Sequence, residues 1–161
     1  MQFLALAALF SAAIAAPAPE PLSLDPTYNE VIAISNYTLT TQLGDITNVR
    51  FNLTGKDATN LNCASGAIKD LSKRFPCDPI NGVPSVYSFS IYATDGDESR
   101  YGQRIYREVK IQTNTGYWGD AIVPTNCFKF EPNAISPTTC YPVRSDPITY
   151  VNIDQRGVFD H

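Results

Sequence analysis

The chain has 161 residues, with 16 acidic and 12 basic side chains, a formal net charge of −4 and an isoelectric point near 4.8. That acidic balance argues against nucleic acid or an anionic membrane as partner. Charged residues make up only 17% of the chain, and its length suits one domain with a sizeable core.

Residues Phe3 to Ile14 are apolar apart from Ser11 and carry no charge. The run is shorter than the roughly 20 residues a membrane span needs, and it fits the hydrophobic region of a secretory signal. Ala13-Ile14-Ala15 matches the small-x-small cleavage pattern, so residues 1–15 are expected to be a signal peptide. Residues 16–29 are Pro-rich and polar and read as a flexible leader. The expected location is secreted and extracellular, without membrane association.

From Glu30 the pattern has period two. VIAISNYTL (31–39) is β-branched and aromatic, and in VRFNLTG Val49, Phe51 and Leu53 alternate with Arg50, Asn52 and Thr54. Two N-glycosylation sequons fall here, Asn36-Tyr37-Thr38 and Asn52-Leu53-Thr54, and alternation places Asn52 on the wet face. Leu61 and Cys63 extend the alternation into a short third strand. GAIKDLSKRF (66–75) breaks it, and its loose spacing of Ile68, Leu71 and Phe75 predicts a short helical turn or loop. Lys73-Arg74 within it reads as two solvated charges rather than a processing site.

VYSFSIYAT (86–94) alternates again, with Tyr87, Phe89, Ile91 and Ala93 opposite Val86, Ser88, Ser90 and Tyr92. DGDESRYG makes the turn and RIYREVKIQT returns, with Ile105, Val109 and Ile111 on one side, which predicts a hairpin. YWGDAIV (117–123) is a further strand, Cys127 to Cys140 encloses a Pro-containing loop, and PITYVNI (147–153) is the last strand, its Pro at a tolerated first position. Residues 155–161 read as a polar tail. The expected fold is all-β over residues 30–154, with many short strands and no helix of ordinary length. Pattern alone leaves barrel and sandwich open.

The chemistry-bearing residues are sparse. The only histidine is His161, at the end of the chain, so a Ser-His-Asp or Cys-His arrangement lacks its base. Glu108, Asp120 and Glu131 lie on or near strands and are the candidates for a glycosidase carboxylate pair. Asp95-Gly96-Asp97-Glu98-Ser99 resembles the start of a calcium loop, but the sixth and twelfth positions are Arg100 and Tyr106 rather than Gly and Glu, so it reads as an acidic hairpin tip. The four cysteines, Cys63, Cys77, Cys127 and Cys140, lack a C-x-x-C spacing and point to disulfides in an oxidising compartment rather than to a metal. Three pairings are open, and the local one closes two short loops. No metal and no cofactor is expected. Tyr92, Tyr106, Tyr117 and Trp118 are candidates for a ligand-binding face, because aromatic rings stack on sugars and flat phenolics.

Together the strand like VRFNL, the L-x-C of Leu61 and Cys63, Cys77 fourteen residues on, Tyr87-Ser88-Phe89 on a strand, and Cys127 and Cys140 before PITYVNI resemble the Alternaria major-allergen family of fungal secreted proteins. The resemblance runs from Val31 to Ile153. It implies a single compact antiparallel β-barrel with the cysteines paired first to second and third to fourth. It also implies an allergen or elicitor that acts without catalysis, by binding host pathogenesis-related proteins, immune receptors, or flavonoids. Covalent dimers in the family use an additional N-terminal cysteine, which this chain lacks, so a monomer or non-covalent dimer is implied. The alternative functions are a small carboxylate-dependent glycoside hydrolase and a carbohydrate-binding wall protein.

Overall fold

Strand β1 (Glu30–Gln42) turns tightly into β2 (Asp45–Gly55) through Leu43 and Gly44. Both turn residues have positive φ, 55° and 95°, as a two-residue hairpin turn that follows the strand twist demands. A short turn at Lys56-Asp57 leads to β3 (Ala58–Ser65). Along these strands Ile32, Ile34, Val49, Phe51, Leu53, Leu61 and Cys63 face inward and are buried, while the alternate residues face water. A bulge between Ser35 and Thr38 keeps the long β1 in phase: Asn36 takes φ 53° and Tyr37 enters the core. This computed structural model describes residues 24–95, 101–109, 115–129, 136–142 and 148–159.

Two more strands share the far side of β1. Strand β10 (Thr149–Ile153) pairs with Glu30–Ile34, and β9 (Thr138–Pro142) pairs with Leu39–Thr41 and carries β8 (Thr125–Lys129) on its outer side. Among the described residues the second sheet has five strands, and their order runs from the last in the chain to the first: the chain-terminal strand, then the three long central strands in reverse chain order, then a two-residue edge strand. It is built from β4 (Phe75–Pro76), β5 (Tyr87–Ala93), β6 (Tyr101–Glu108), β7 (Thr115–Ala121) and β11 (Gln155–Val158). Every pairing among the described strands is antiparallel.

The core lies between the two inner faces. Tyr87, Phe89, Ile91 and Ile105 from the second sheet meet Ile32, Val49, Phe51 and Leu53 from the first, and the Phe51 and Phe89 rings pack edge to face at 5.0 Å. The sheets are joined along two margins. On one, Cys63 of β3 bonds to Cys77 just beyond β4, beside a 2.9 Å hydrogen bond from the Asp78 N–H to the Asn62 carbonyl. On the other, the chain leaves β10 in the first sheet and enters β11 in the second across the single residue Asp154. There Gly119 of β7 lets the Asn152 backbone pass close, since a Cβ would stand 1.9 Å from that carbonyl oxygen. These margins are a disulfide, an isolated backbone hydrogen bond, chain continuity and close packing, and the described hydrogen-bond ladders do not continue around them. The architecture is therefore an all-β sandwich of two antiparallel sheets, and the expected closed barrel is not observed.

Several segments differ from the sequence reading. Residues 66–75 form the loop alternative of that reading, without a helix, and the loop is more tied down than the pattern implied: Ile68 bridges to Ile46 and is buried, and Asp70 caps a turn by accepting from the Ser72 N–H at 2.9 Å. The loop expected between Cys127 and Cys140 includes two paired strands, with these cysteines directly opposite and disulfide-bonded. The tail expected from residue 155 forms β11, because an edge ladder along β7 needs backbone pairing rather than apolar alternation, and Phe159 is buried beside it. Leu24 and Tyr28, assigned to the leader, pack against the core. The signal peptide, the acidic hairpin tip at 96–99, Ile111, Glu131 and His161 lie outside the described residues.

Candidate binding face

Pairing register decides which side chains of the second sheet share its outer face. Ser88 on β5, Tyr106 on β6, Trp118 on β7 and Gln155 on β11 stand in one row. The next row holds Ser90, Arg104 and Asp120. Tyr92 lies one step further, opposite Gly102, and its ring covers that glycine: a Cβ there would be 2.3 Å from the Tyr92 ring. Tyr92, Tyr106 and Trp118 are thus brought together on one face.

Polar contacts hold these rings in place. The Arg104 guanidinium lies 3.9 Å from the Trp118 ring centroid and donates from Nε and Nη2 to the two Asp120 oxygens at 2.6 and 2.7 Å. The Asp120 hydrogen bond raises the Arg104 pKa, so its charge is permanent. The Tyr106 hydroxyl is 3.0 Å from Ser90 Oγ, and its ring meets Phe159 edge to face at 4.9 Å. The Arg74 guanidinium lies over the Tyr106 and Phe159 rings, at 5.5 and 5.0 Å. Ser90, Tyr92, Arg104, Tyr106, Trp118 and Phe159, with Leu71, Ser72 and Val158 at the rim, line a groove of about 510 Å³. Partial burial raises the Tyr92 pKa, so its phenol stays protonated and able to donate at neutral pH.

Tyr117 does not join this face. Adjacent strand residues point to opposite sides, and Tyr117 is buried, stacked on Tyr28 with centroids 3.9 Å apart. Sequence reasoning missed Arg104, Arg74 and Phe159. Alternation marks Arg104 as outward on the returning strand, but Arg74 and Phe159 come from a loop and from the supposed tail, where no periodicity points to them.

Of the carboxylate candidates, the two among the described residues, Glu108 and Asp120, are poorly placed to act as a pair in glycoside hydrolysis. Both Asp120 oxygens are taken by Arg104, and Glu108 is opposite Gly116 while Asp120 is opposite Arg104. Four residues of strand put those positions about 13 Å apart along the sheet, beyond the separation of about 5–9.5 Å that acid and base or nucleophile require.

A second polar cluster is closed. Glu30 is 2% exposed and accepts from the Lys56 N–H at 2.6 Å and the Tyr87 hydroxyl at 2.7 Å, both on Oε1. Its Oε2 accepts from the Tyr28 hydroxyl and lies 3.4 Å from Arg107 Nε. Arg107 also pairs with Asp57, whose N–H donates to the Tyr87 hydroxyl at 3.1 Å. Burial pushes the Tyr28 and Tyr87 phenols well above the ordinary tyrosine value. A Cβ on Gly55 would stand 2.6 Å from Glu30 Oε1, so the packing is tight. This network ties the start of β1, the β2–β3 turn and the second sheet together.

Both sequon asparagines lie away from the groove, on β1 and β2 of the first sheet. Asn36 is exposed at the bulge, and Asn52 is half-buried with its amide donating to Asn60 Oδ1 at 2.7 Å.

The family model for Alternaria alternata allergen 1 matches residues 34–140. No curated protein matches the chain. Among solved structures, the chain is similar to a crystal structure of Alternaria alternata allergen Alt a 1, with TM-score 0.54 and 20% identity over 86% of this chain and 95% of that one. A second crystal structure, of the major allergen Alt a 1 of Alternaria alternata, matches with TM-score 0.53 and 20% identity over 76% of this chain and 91% of that one. At this identity the structural likeness speaks for the fold. The family match spans most of the described sandwich, from β1 through both disulfides, and by it the chain belongs to the Alternaria alternata allergen 1 family.

Proposed function

We propose that this chain is a secreted, non-enzymatic binding protein of the allergen and elicitor type. Its ligand is a flat phenolic or a glycan, taken on the outer face of the second sheet. The observation that carries the reading is the alignment of Tyr92, Tyr106 and Trp118 around one groove. Ring faces offer stacking area to a planar ligand or a sugar ring, while Arg104, Ser90 and the tyrosine hydroxyls offer hydrogen bonds at its edge. Host proteins of the pathogenesis-related class are the macromolecular partners that the family resemblance suggests, with the chain acting as a monomer or non-covalent dimer.

The test is calorimetric titration of the mature protein with a panel of flat phenolics and short wall oligosaccharides. A stacking contact contributes about 1 kcal/mol, so Tyr106→Ala and Trp118→Ala should each weaken binding about five-fold. Binding that is indifferent to both changes would place the ligand elsewhere. A preference for oligosaccharides over phenolics would favour the wall-binding reading of the same groove.

A further inference from the structure

We propose that Asn36 is the N-glycosylation site of this protein and that Asn52, despite its sequon, stays bare. The inference rests on the secretory reading above and concerns the opposite sheet from the groove. Asn36 sits at the β1 bulge with φ 53°, a conformation asparagine tolerates, while Tyr37 beside it is anchored in the core. The Asn36 side chain therefore projects into solvent from a fixed point.

Asn52 is differently placed. Its Nδ2 donates to Asn60 Oδ1 at 2.7 Å, and the hydroxyl of the same sequon, Thr54 Oγ1, accepts from the Asn60 N–H at 3.0 Å. One residue thus holds both groups that the transfer reaction needs. Asn60 reaches them because it too has positive φ, 54°, on the strand paired with β2. The β2–β3 hairpin is local in sequence and closes in about 1–10 μs, whereas chain synthesis runs at about 5–20 residues per second. The grip can therefore form while the segment is still passing the transferase. The β1–β2 hairpin pairs the backbone of Thr38 with Arg50 but leaves Asn36 itself outside the ladder, so pairing there does not take up the acceptor amide.

The donor is a lipid-pyrophosphate-linked oligosaccharide. The Asn36 Nδ2 forms a bond to C1 of the reducing-end sugar, the C1–O bond to the pyrophosphate breaks, and the amide proton leaves to the surroundings as the lipid pyrophosphate departs with the bonding electrons.

The full chain is expressed in a eukaryotic secretory host. Protein from the medium is treated with peptide N-glycosidase in isotope-labelled water and mapped by mass spectrometry. Labelled conversion to aspartate is expected at Asn36 and not at Asn52, and Asn36→Gln should remove the glycan altogether. Asn60→Gly, which suits the positive φ but removes the gripping side chain, should raise occupancy at Asn52. Secreted chain that is bare at Asn36 or occupied at Asn52 overturns this assignment and leaves the secretory reading intact. Unchanged occupancy at Asn52 in Asn60→Gly overturns the shielding argument. Chain recovered only from the cytosol overturns the secretory reading and the glycan with it.

Discussion

Replacing Glu30 by Gln keeps the size of the side chain and removes its charge. Four donors surround the native carboxylate: the Lys56 N–H and Tyr87 hydroxyl on Oε1, and the Tyr28 hydroxyl and Arg107 on Oε2. The Gln oxygen can serve the Lys56 and Tyr87 pair; its NH₂ then donates to the Tyr28 hydroxyl, which can accept, but meets the Arg107 guanidinium donor to donor. A hydrogen bond to a charged group is worth about 1.5–3 kcal/mol. The Lys56, Tyr87 and Tyr28 contacts each fall to neutral hydrogen bonds, worth about 1 kcal/mol less apiece, and the Arg107 contact is lost, in part offset because Asp57 still pairs with it. The expected loss for Glu30→Gln is about 3 kcal/mol, and for Glu30→Ala about 4 kcal/mol, as for breaking a buried charged cluster. For a domain of this size the Gln variant should melt about 10 °C lower. Chemical denaturation followed by circular dichroism measures the free energy, and a thermal scan the shift. A loss under about 1 kcal/mol for Glu30→Gln would refute the view that this buried carboxylate ties the sheets together.

Other perturbations test separate links. Gly119→Ala should destabilise the domain by more than about 2 kcal/mol, since its Cβ would overlap the Asn152 carbonyl oxygen where the sheets meet; a melting temperature equal to wild type would contradict the close approach. Gly102→Ala should instead displace the Tyr92 ring, a movable side chain, and weaken groove binding with little change in melting. Paired Cys63→Ala and Cys77→Ala changes should cost about 3 kcal/mol, the chain-entropy value for a loop of this length, read by denaturation of the double variant. Tyr28, Tyr37 and Tyr87 have folded pKa values above the ordinary 10.0, chiefly through burial. The unfolded phenols ionise first, so the stability these groups contribute is whole below pH 10 and falls as pH rises past it. Phenolate absorbance from these three should therefore appear together with alkaline unfolding, and ionisation of all nine tyrosines before unfolding would contradict the assignment.

The sequence was most informative where one face of a strand is buried and the other wet. VRFNLTG alternates cleanly, with Val49, Phe51 and Leu53 in the core; in YSFSIYA Tyr87, Phe89 and Ile91 are in the core, but Ala93, expected to face inward, is exposed at the strand end and Ser90, on the opposite set, is buried. Alternation fades in β8, where the residues described are largely exposed, and in β11, whose backbone pairs with β7 while its side chains stay largely in water. Those strands exist because their ladders extend a sheet edge, a tertiary cause without a local signature. The same holds for the choice of architecture. Whether two sheets close into a barrel depends on strand tilt and stagger around the whole molecule, and here β10 meets β7 by close packing at Gly119 instead of a ladder. In the candidate site, three of the four aromatic residues share a face, and Tyr117 fails for the simplest reason: it is Trp118's neighbour on a strand. Phe159 and Arg74 become visible only once the chain is folded.

The central claim is that the outer face of the second sheet binds a planar or sugar ligand. Trp118 is the chain's single tryptophan and stands in that groove, so its fluorescence is a built-in reporter. Titrating the mature protein with the ligand panel should give a saturable change in Trp118 emission, at an affinity that matches calorimetry and is weakened about five-fold by Tyr106→Ala. Calorimetric binding that leaves Trp118 emission unaltered and survives Tyr106→Ala unchanged would contradict the claim.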